Sequence, residues 1–224
     1  MTRTDPSLTF ENNLWQSGLR YIAGLDEAGR GALAGPVAVG AVILPNDPHL
    51  LSTAKKHQGN SLRGVRDSKQ MTPLERESAA VHIKQLALAW SVAFASSEEI
   101  DSEGIVRATR LAALRALQGL ALYPEYLLTD FRLELPQLDI SQTSFVKGDA
   151  LCLSIAAASV LAKTTRDALM REMDLQVPGY SLGKHKGYGT LAHRLALEHL
   201  GYSPVHRKTF VLKRLRELDA EKTR

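Results

Sequence analysis

The pattern of apolar residues along the chain predicts five β-strands. A short apolar segment at 21–25 and a second one at 36–44 enclose a glycine-dense turn, which is typical of two strands joined by a tight loop. Residues 46–66 are polar and rich in Pro, Gly, Lys and His, and therefore predict a long exposed loop. The remaining predicted strands are 86–95, 126–129 and 143–146.

Helical periodicity and helix-start signals predict the other elements. The helix after the loop opens at Thr72, with Pro73 at its first position and Glu75 completing a capping box. Small residues at 154–159 allow the longest helix to lie close against a sheet. The predicted helices span 72–85, 96–122, 150–174, 190–200 and 208–221. This order of elements predicts an α/β fold, a mixed five-stranded sheet flanked by helices.

Composition narrows the class of protein. Hydrophobic residues make up 44% and charged residues 23% of the 224 positions, values typical of a folded soluble domain that needs no oligomer for stability. The start of the chain lacks the apolar core of a signal peptide, and no apolar stretch is long enough to span a bilayer. We therefore expect a cytoplasmic protein, a monomer without membrane contacts. The single cysteine, Cys152, is expected to be a small buried residue.

Charge is distributed unevenly along the chain. The net charge is only +4, but residues 181–224 carry 10 Lys or Arg against 4 Asp or Glu. Four of the seven histidines also lie in this segment, and they show no metal-ligand spacing. A basic terminal segment is compatible with a polyanionic partner such as nucleic acid, although a solvated helix face has the same composition.

Four carboxylates stand at positions where strands end. Asp26 and Glu27 follow an apolar strand and precede a glycine turn, Asp130 follows the fourth strand, and Asp149 lies between the fifth strand and the longest helix. Carboxylates that converge in this way would suit hard divalent ions such as Mg²⁺ or Mn²⁺, which phosphoryl chemistry often uses in pairs. Taken singly, the first two could merely solubilise a turn, and Asp149 could be a helix N-cap.

Four segments in the same order resemble the type II ribonuclease H family. They are GLDEAGRGALAGPV at 24–37, VRDSKQMTP at 65–73, VKGDALCLSIAAASVLAKTTRD at 146–167 and HKGYGT at 185–190. The resemblance implies an RNase H-like sheet with a small helical C-terminal extension. It also implies that Asp26, Glu27, Asp130 and Asp149 bind two divalent ions, Mn²⁺ or Mg²⁺, with Asp26 bridging both.

The same resemblance implies residues for substrate binding. Gly29, Arg30 and Gly31 would read the 2′-hydroxyl of a ribonucleotide, largely through their backbone, and Tyr188 would stack on the neighbouring sugar. Several basic residues of the matching segments are candidate phosphate ligands, led by Lys69 and Lys186 and followed by Lys163, Arg166 and Lys184. Two positions depart from the family pattern: Phe131 stands where Gly is usual, and the 46–66 loop is long.

The implied activity is metal-dependent cleavage of RNA in RNA–DNA hybrids and on the 5′ side of ribonucleotides embedded in duplex DNA, in primer removal and ribonucleotide excision repair. The expected division is a leader at 1–20, a catalytic domain at 21–180 and a basic substrate-binding extension at 181–224. Three alternatives remain: a type III ribonuclease H, which typically carries an added N-terminal domain, a non-catalytic hybrid-binding protein, and a nuclease that acts on DNA alone.

Overall fold

One mixed sheet of five strands forms the centre of the structure, a computed structural model that describes residues 5–51, 61–130 and 133–210. The strands are β1 (Ile22–Ala28), β2 (Val37–Ile43), β3 (Ala89–Ala95), β4 (Tyr126–Asp130) and β5 (Ser141–Phe145). Their order across the sheet is β3-β2-β1-β4-β5. β1 is antiparallel to β2 but parallel to β4, which is parallel to β5. The carboxyl ends of β1, β4 and β5 therefore meet at one edge of the sheet.

Helices cover both faces of this sheet. The helices among the described residues are α1 (Thr9–Gln16), α2 (Pro73–Leu86), α3 (Ser97–Gln118), α4 (Leu153–Gln176), α5 (Leu182–His185) and α6 (Leu191–Leu200). α1, α2 and α4 enclose one apolar core with the sheet, and α3 encloses a second core on the opposite face. A third, smaller cluster joins Met170 of α4 to Leu182 and Leu197. The structure confirms the predicted α/β class and the flanked mixed sheet.

Two glycines bring α4 unusually close to the sheet. A Cβ atom on Gly24 of β1 would lie 2.2 Å from the backbone carbon of Ser154, and one on Gly40 of β2 would lie 2.4 Å from the carbonyl oxygen of Ala158. Any larger residue at either position would push the helix away. The small residues of α4 have the complementary role that the sequence predicted, and Cys152 just before this helix is buried, as expected.

Capping boxes begin the two helices that flank β3. Thr72 and Glu75 bond each other's backbone N–H groups at the start of α2, with Pro73 in the first turn, as predicted. Ser96 and Glu99 form the same reciprocal pair at the start of α3. Each box satisfies N–H groups that have no partner within the helix.

Several boundaries differ from the sequence prediction. β1 continues to Ala28, because its pairing with β2 extends through Ala28 and Ala38, so Asp26 and Glu27 lie inside the strand and not after it. α4 begins only at Leu153, since Gly148–Ala150 form a separate 3-10 turn. Neither α1 nor α5 was among the predicted helices.

The predicted loop at 46–66 is exposed in part, at Asn46, Pro48, His49, Arg63 and Gly64, but its described leucine and valine side chains are not. Leu50, Leu62 and Val65 are buried in the core shared by α1, α2 and α4, because the Leu62 N–H bonds the Leu50 carbonyl and folds the segment back. Residues 52–60 lie outside the described residues. So do 211–224, which contain most of the predicted helix at 208–221, and Phe131, at which the sequence departs from the family pattern.

Candidate active site

Asp26 lies at the carboxyl edge of the central strand, on the face covered by α4. It is 3% exposed, and the pairing of Leu25 with Thr129 places it beside Asp130 of the next strand. Its Oδ1 accepts the N–H of Glu27 at 2.7 Å. The Ser159 hydroxyl, which projects from α4, lies beside this carboxylate. A strand and a helix thus fix this side chain together.

Asp130 and Asp149 are linked by a tight turn after β5. Lys147 adopts the left-handed conformation at φ 60°, and the next residue, Gly148, donates its N–H to Asp130 Oδ1 at 2.7 Å. Asp149 lies in the 3-10 turn that follows and is buried. The alternative role of Asp149 as the N-cap of the long helix is wrong, because Cys152 occupies that position without a side-chain hydrogen bond.

Glu27 follows Asp26 in an extended strand, and its side chain therefore starts on the opposite face of the sheet. It forms an ion pair with Arg30 at 3.5 Å. Its second oxygen, Oε2, is buried and has no hydrogen-bond partner among the described residues. A buried carboxylate oxygen without a donor is costly and is the kind of atom that a cation would satisfy.

Burial and mutual repulsion raise the pKa values of Asp26, Glu27 and Asp149. Burial raises the pKa of Asp26 well above its usual range, and the charges of Glu27, Asp130 and Asp149 raise it further. Burial also raises the pKa of Glu27, although Arg30 opposes the shift. The pKa of Asp149 rises to about 6, through burial and then through the adjacent Asp67. The edge of the sheet therefore concentrates negative charge that nearby cations only partly balance.

The donor set suits a hard divalent cation, although the side chains do not yet form a complete site. Among the described residues, no three His, Cys, Asp or Glu side chains lie close enough together to hold a metal ion as they stand. Asp26 and Asp130 instead accept hydrogen bonds from backbone N–H groups. All the available donors are carboxylate oxygens, which are the ligands that Mg²⁺ and Mn²⁺ prefer. The residues fit such ions by their chemistry, charge and proximity.

Lys69 and Asp67 join this group from the segment before α2. They line an open cavity of about 460 Å³ together with Glu27, Arg30, Asp130 and Asp149. Burial lowers the pKa of Lys69, but the charges of Asp67, Asp26 and Asp149 outweigh burial and raise it. The structure therefore brings Lys69 to the carboxylates.

Three residues of this site were not singled out from the sequence. Asp67 accepts the Lys69 N–H at 2.9 Å and faces Asp149, and the Ser68 hydroxyl is 3.0 Å from that of Ser159. Asp67 and Ser68 lie within VRDSKQMTP, so this segment was the available signal. For Ser159 the sequence indicated only a small residue suited to close packing.

Two buried arginines form hydrogen bonds with carbonyl groups of the loop after β1. Arg166 donates to the loop carbonyls of Ala34 and Pro36, and to that of Lys186 outside the loop, at 2.8–3.1 Å. Arg207 donates to three other carbonyls of the loop. Gly29 has φ +87°, and a Cβ there would lie 1.9 Å from Arg166 Nε. Arg166 is therefore a structural residue and not an accessible phosphate ligand.

The segment containing Tyr188 lies against this same loop. The Gly187 carbonyl accepts the Leu33 N–H at 2.8 Å, and the half-buried Tyr188 ring lies 5.5 Å from Lys163 Nζ and 5.6 Å from the Arg166 guanidinium. The Tyr188 carbonyl is 3.0 Å from a ring nitrogen of His193. The structure thus places Tyr188 next to the loop that contains Gly29 and Gly31.

Lys186, Lys163 and Lys184 do not line the carboxylate cavity. The Lys186 ammonium donates to the Gly183 carbonyl, and its charged neighbours are Asp167, Arg171, Lys163 and Asp174. Lys163 pairs with Asp167 at 2.6 Å, and Lys184 is exposed on α5. The carboxylate cavity does not include Lys186 among its lining residues, so the structure separates it from Lys69.

Sequence comparison identifies the family. The family model described as Ribonuclease HII matches residues 23–213. The chain belongs to the ribonuclease HII family. It is 47% identical over 205 residues to the ribonuclease HII of Dehalococcoides mccartyi, covering 92% of each chain. It is 50% identical over 217 residues to that of a Synechococcus strain, covering 96% of this chain and 91% of the relative. As a ribonuclease HII, the chain is a nuclease and a hydrolase, as the sequence predicted, and is not assigned to type III.

Solved structures share the fold of this ribonuclease HII. Ribonuclease H2 from Pyrococcus horikoshii has a TM-score of 0.70 at 22% identity, covering 90% of this chain and 98% of the other. The Archaeoglobus fulgidus RNase HII, solved in complex with PCNA, gives 0.68 at 23% identity, covering 86% and 96%. Bst-RNase HIII, solved with Mn²⁺, gives a TM-score of 0.62 at 18% identity, covering 92% of this chain and 71% of the other.

None of the helices in the described parts of the chain has the length and apolar character of a membrane span.

Proposed function

We propose that this ribonuclease HII hydrolyses the RNA strand of RNA–DNA hybrids and also cuts on the 5′ side of ribonucleotides embedded in duplex DNA. The products would carry 5′-phosphate and 3′-hydroxyl ends. The observation that supports this proposal most is the meeting of Asp26, Asp130 and Asp149 at one sheet edge, directly beside the Gly29–Gly31 loop. Catalytic and sugar-reading groups would then act on adjacent parts of one substrate strand.

Four carboxylates would hold two divalent ions, Mg²⁺ or Mn²⁺. The ligands would be Asp26, Glu27, Asp130 and Asp149, with Asp26 contributing to both ions. When bound, such ions activate a water for in-line attack on phosphorus and stabilise the leaving 3′-oxygen. The raised pKa values of Asp26, Glu27 and Asp149 support this assignment, because a bound cation would offset the burial and the repulsion that raise them.

Cationic side chains at the rim would hold the substrate backbone. Arg30 and Lys69 line the carboxylate cavity and can bond phosphate oxygens as these approach the acidic groups. The face of Tyr188 would pack against the sugar that follows the ribonucleotide. Lys186 would contact a phosphate further along the duplex, since the structure places it away from the carboxylates.

These assignments predict which segments of the chain carry out catalysis and substrate binding. Residues 21–180 would form the catalytic domain and the basic segment 181–224 would bind substrate. The partners would be RNA–DNA hybrids and DNA duplexes containing ribonucleotides. We further propose that the protein acts in the cytoplasm as a monomer, in primer removal and in ribonucleotide excision repair.

A labelled RNA–DNA hybrid tests this function against its two rivals. The protein should cut the RNA strand in Mg²⁺ or Mn²⁺, should stop when EDTA is added, and should leave all-DNA duplexes intact. Binding without cleavage in either metal would favour a non-catalytic hybrid-binding protein. Equal cutting of an all-DNA duplex would favour a DNA nuclease.

A further inference from the structure

Arg207 is fully buried and bonds three carbonyls of the loop after β1. Its Nη2 donates to the Gly29 carbonyl at 2.8 Å, its Nη1 to that of Arg30 at 2.8 Å, and its Nε to that of Gly35 at 2.9 Å. The side chain is 0% exposed, so it cannot itself touch a substrate. Among the described residues it forms no ion pair with a carboxylate within 4 Å, and loop carbonyls take its N–H groups instead.

These bonds determine the direction of two loop amides. In a trans peptide unit the carbonyl and the N–H of the next residue point in opposite directions, and no cis peptide occurs in the described chain. Because the Gly29 and Arg30 carbonyls point inward to Arg207, the N–H groups of Arg30 and Gly31 point away from it. In the described structure neither N–H group has a protein acceptor.

The surface above these amides is open. Gly31 is exposed, and a Cβ built on it would meet no atom within 4 Å. The fold therefore does not need a glycine at this position, in contrast to Gly29, whose Cβ would collide with Arg166. The missing side chain instead leaves the Gly31 N–H accessible to an incoming acceptor.

We propose that Arg207 is a positioning residue for specificity, which orients the Arg30 and Gly31 amides towards the 2′-oxygen of the ribonucleotide. The proposal rests on the proposed function, since it concerns the reading of that substrate. A planar guanidinium can hold two successive carbonyls at fixed directions, whereas the single ammonium of lysine cannot. A positive charge at position 207 is therefore not sufficient to orient the two amides. The forked geometry of the arginine guanidinium is required.

Binding of two duplexes tests this role. The dissociation constants of a DNA duplex with one ribonucleotide and of the same all-DNA duplex are measured by fluorescence anisotropy in Ca²⁺, which replaces Mg²⁺ and prevents turnover. Arg207→Lys and Arg207→Gln should each reduce the preference for the ribonucleotide duplex about tenfold, as expected for lost hydrogen bonds. Affinity for the all-DNA duplex should change less than about twofold, because Arg207 touches no phosphate.

Leu197→Ala is the matched control. It removes a buried side chain from the cluster formed by α4, α5 and α6 without removing a bond to the loop, and should lower the melting temperature but keep the preference. The positioning role would be overturned if both Arg207 variants, or Arg207→Lys alone, retained the preference. It would also be overturned if Leu197→Ala lost the preference equally. A wild-type protein without any preference would overturn the proposed function and this inference with it.

A second measurement uses the unmodified protein and does not depend on the folding of a variant. In NMR spectra, the backbone amide signals of Arg30 and Gly31 should shift when the ribonucleotide duplex is added in Ca²⁺. The all-DNA duplex should shift them much less. Equal shifts with both duplexes, or no shift at either amide, would contradict the proposed orientation.

Discussion

The carboxylate of Glu11 caps the first turn of α4 at Ser154, although the two residues are separated by 143 positions. Glu11 Oε1 accepts the Ser154 hydroxyl at 2.6 Å and the Ser154 N–H at 2.9 Å. The residue at the helix N-cap, Cys152, offers no side-chain bond of its own. The N-terminal segment that contains Glu11 thus completes the start of α4, directly after the turn that carries Asp149.

This relationship predicts a loss of stability when Glu11 is truncated. Glu11→Ala removes the cap and leaves the Ser154 N–H unpaired, and should reduce the free energy of unfolding by about 1–2 kcal/mol. Glu11→Gln keeps an acceptor and should be closer to wild type. Urea denaturation measures both variants. Equal stability of Glu11→Ala and wild type would show that the cap contributes nothing.

The sequence could not reveal this contact, because it joins segments distant in the chain. Local signals were more informative: the capping box at Thr72 and the small residues facing the sheet each predicted what the structure contains. The four carboxylates were found because each lies at the end of a strand or next to it. The buried course of Leu50 and Leu62 was missed, since the polar composition around them indicated a solvated loop.

The residues that support the site could also not be identified from the sequence. Arg207 lies in a basic segment whose composition suggests solvent exposure, yet it is fully buried because loop carbonyls supply its acceptors. Ser159 resembles any small helical residue until its hydroxyl is found beside Asp26. Lys186 lies in a matching family segment like Lys69, and only the fold shows that the two occupy different surroundings.

Asp26→Asn should abolish cleavage while the protein remains folded. The substitution keeps the side-chain size but removes a charge that burial and neighbouring carboxylates make unfavourable, so the melting temperature should stay the same or rise. Hybrid binding should survive. Cleavage assays, melting curves and binding measurements are compared with Asp139→Asn, which changes an exposed aspartate. Substantial cleavage by Asp26→Asn in Mg²⁺ would contradict the metal assignment.

The two glycines of the loop should respond differently to alanine. Gly29→Ala should destabilise the fold by more than about 1 kcal/mol, because of its positive φ and the collision with Arg166. Gly31→Ala should melt like wild type but cleave more slowly, since its methyl group would occupy the space left for the ribose. A Gly31→Ala variant with wild-type cleavage would argue against close approach of substrate there.

Tyr188→Ala should affect one substrate more than another. The ring would pack against the sugar that follows an isolated ribonucleotide, where an added 2′-hydroxyl would crowd it. Its loss should therefore slow cleavage of the single-ribonucleotide duplex at least about fivefold more than cleavage of a long hybrid, equivalent to about 1 kcal/mol. Tyr188→Phe, which keeps the ring, should preserve the difference. Equal losses with a lowered melting temperature would indicate a purely structural tyrosine.

The most direct test of the account is cleavage of a DNA duplex that contains one ribonucleotide, with the cut position mapped on the labelled strand. We expect a single cut on the 5′ side of the ribonucleotide, leaving a 3′-hydroxyl and a 5′-phosphate, in Mg²⁺ or Mn²⁺ and not in EDTA. The same duplex without the 2′-hydroxyl should remain intact. Cutting of both duplexes, or a cut on the 3′ side, would contradict the proposed recognition and chemistry.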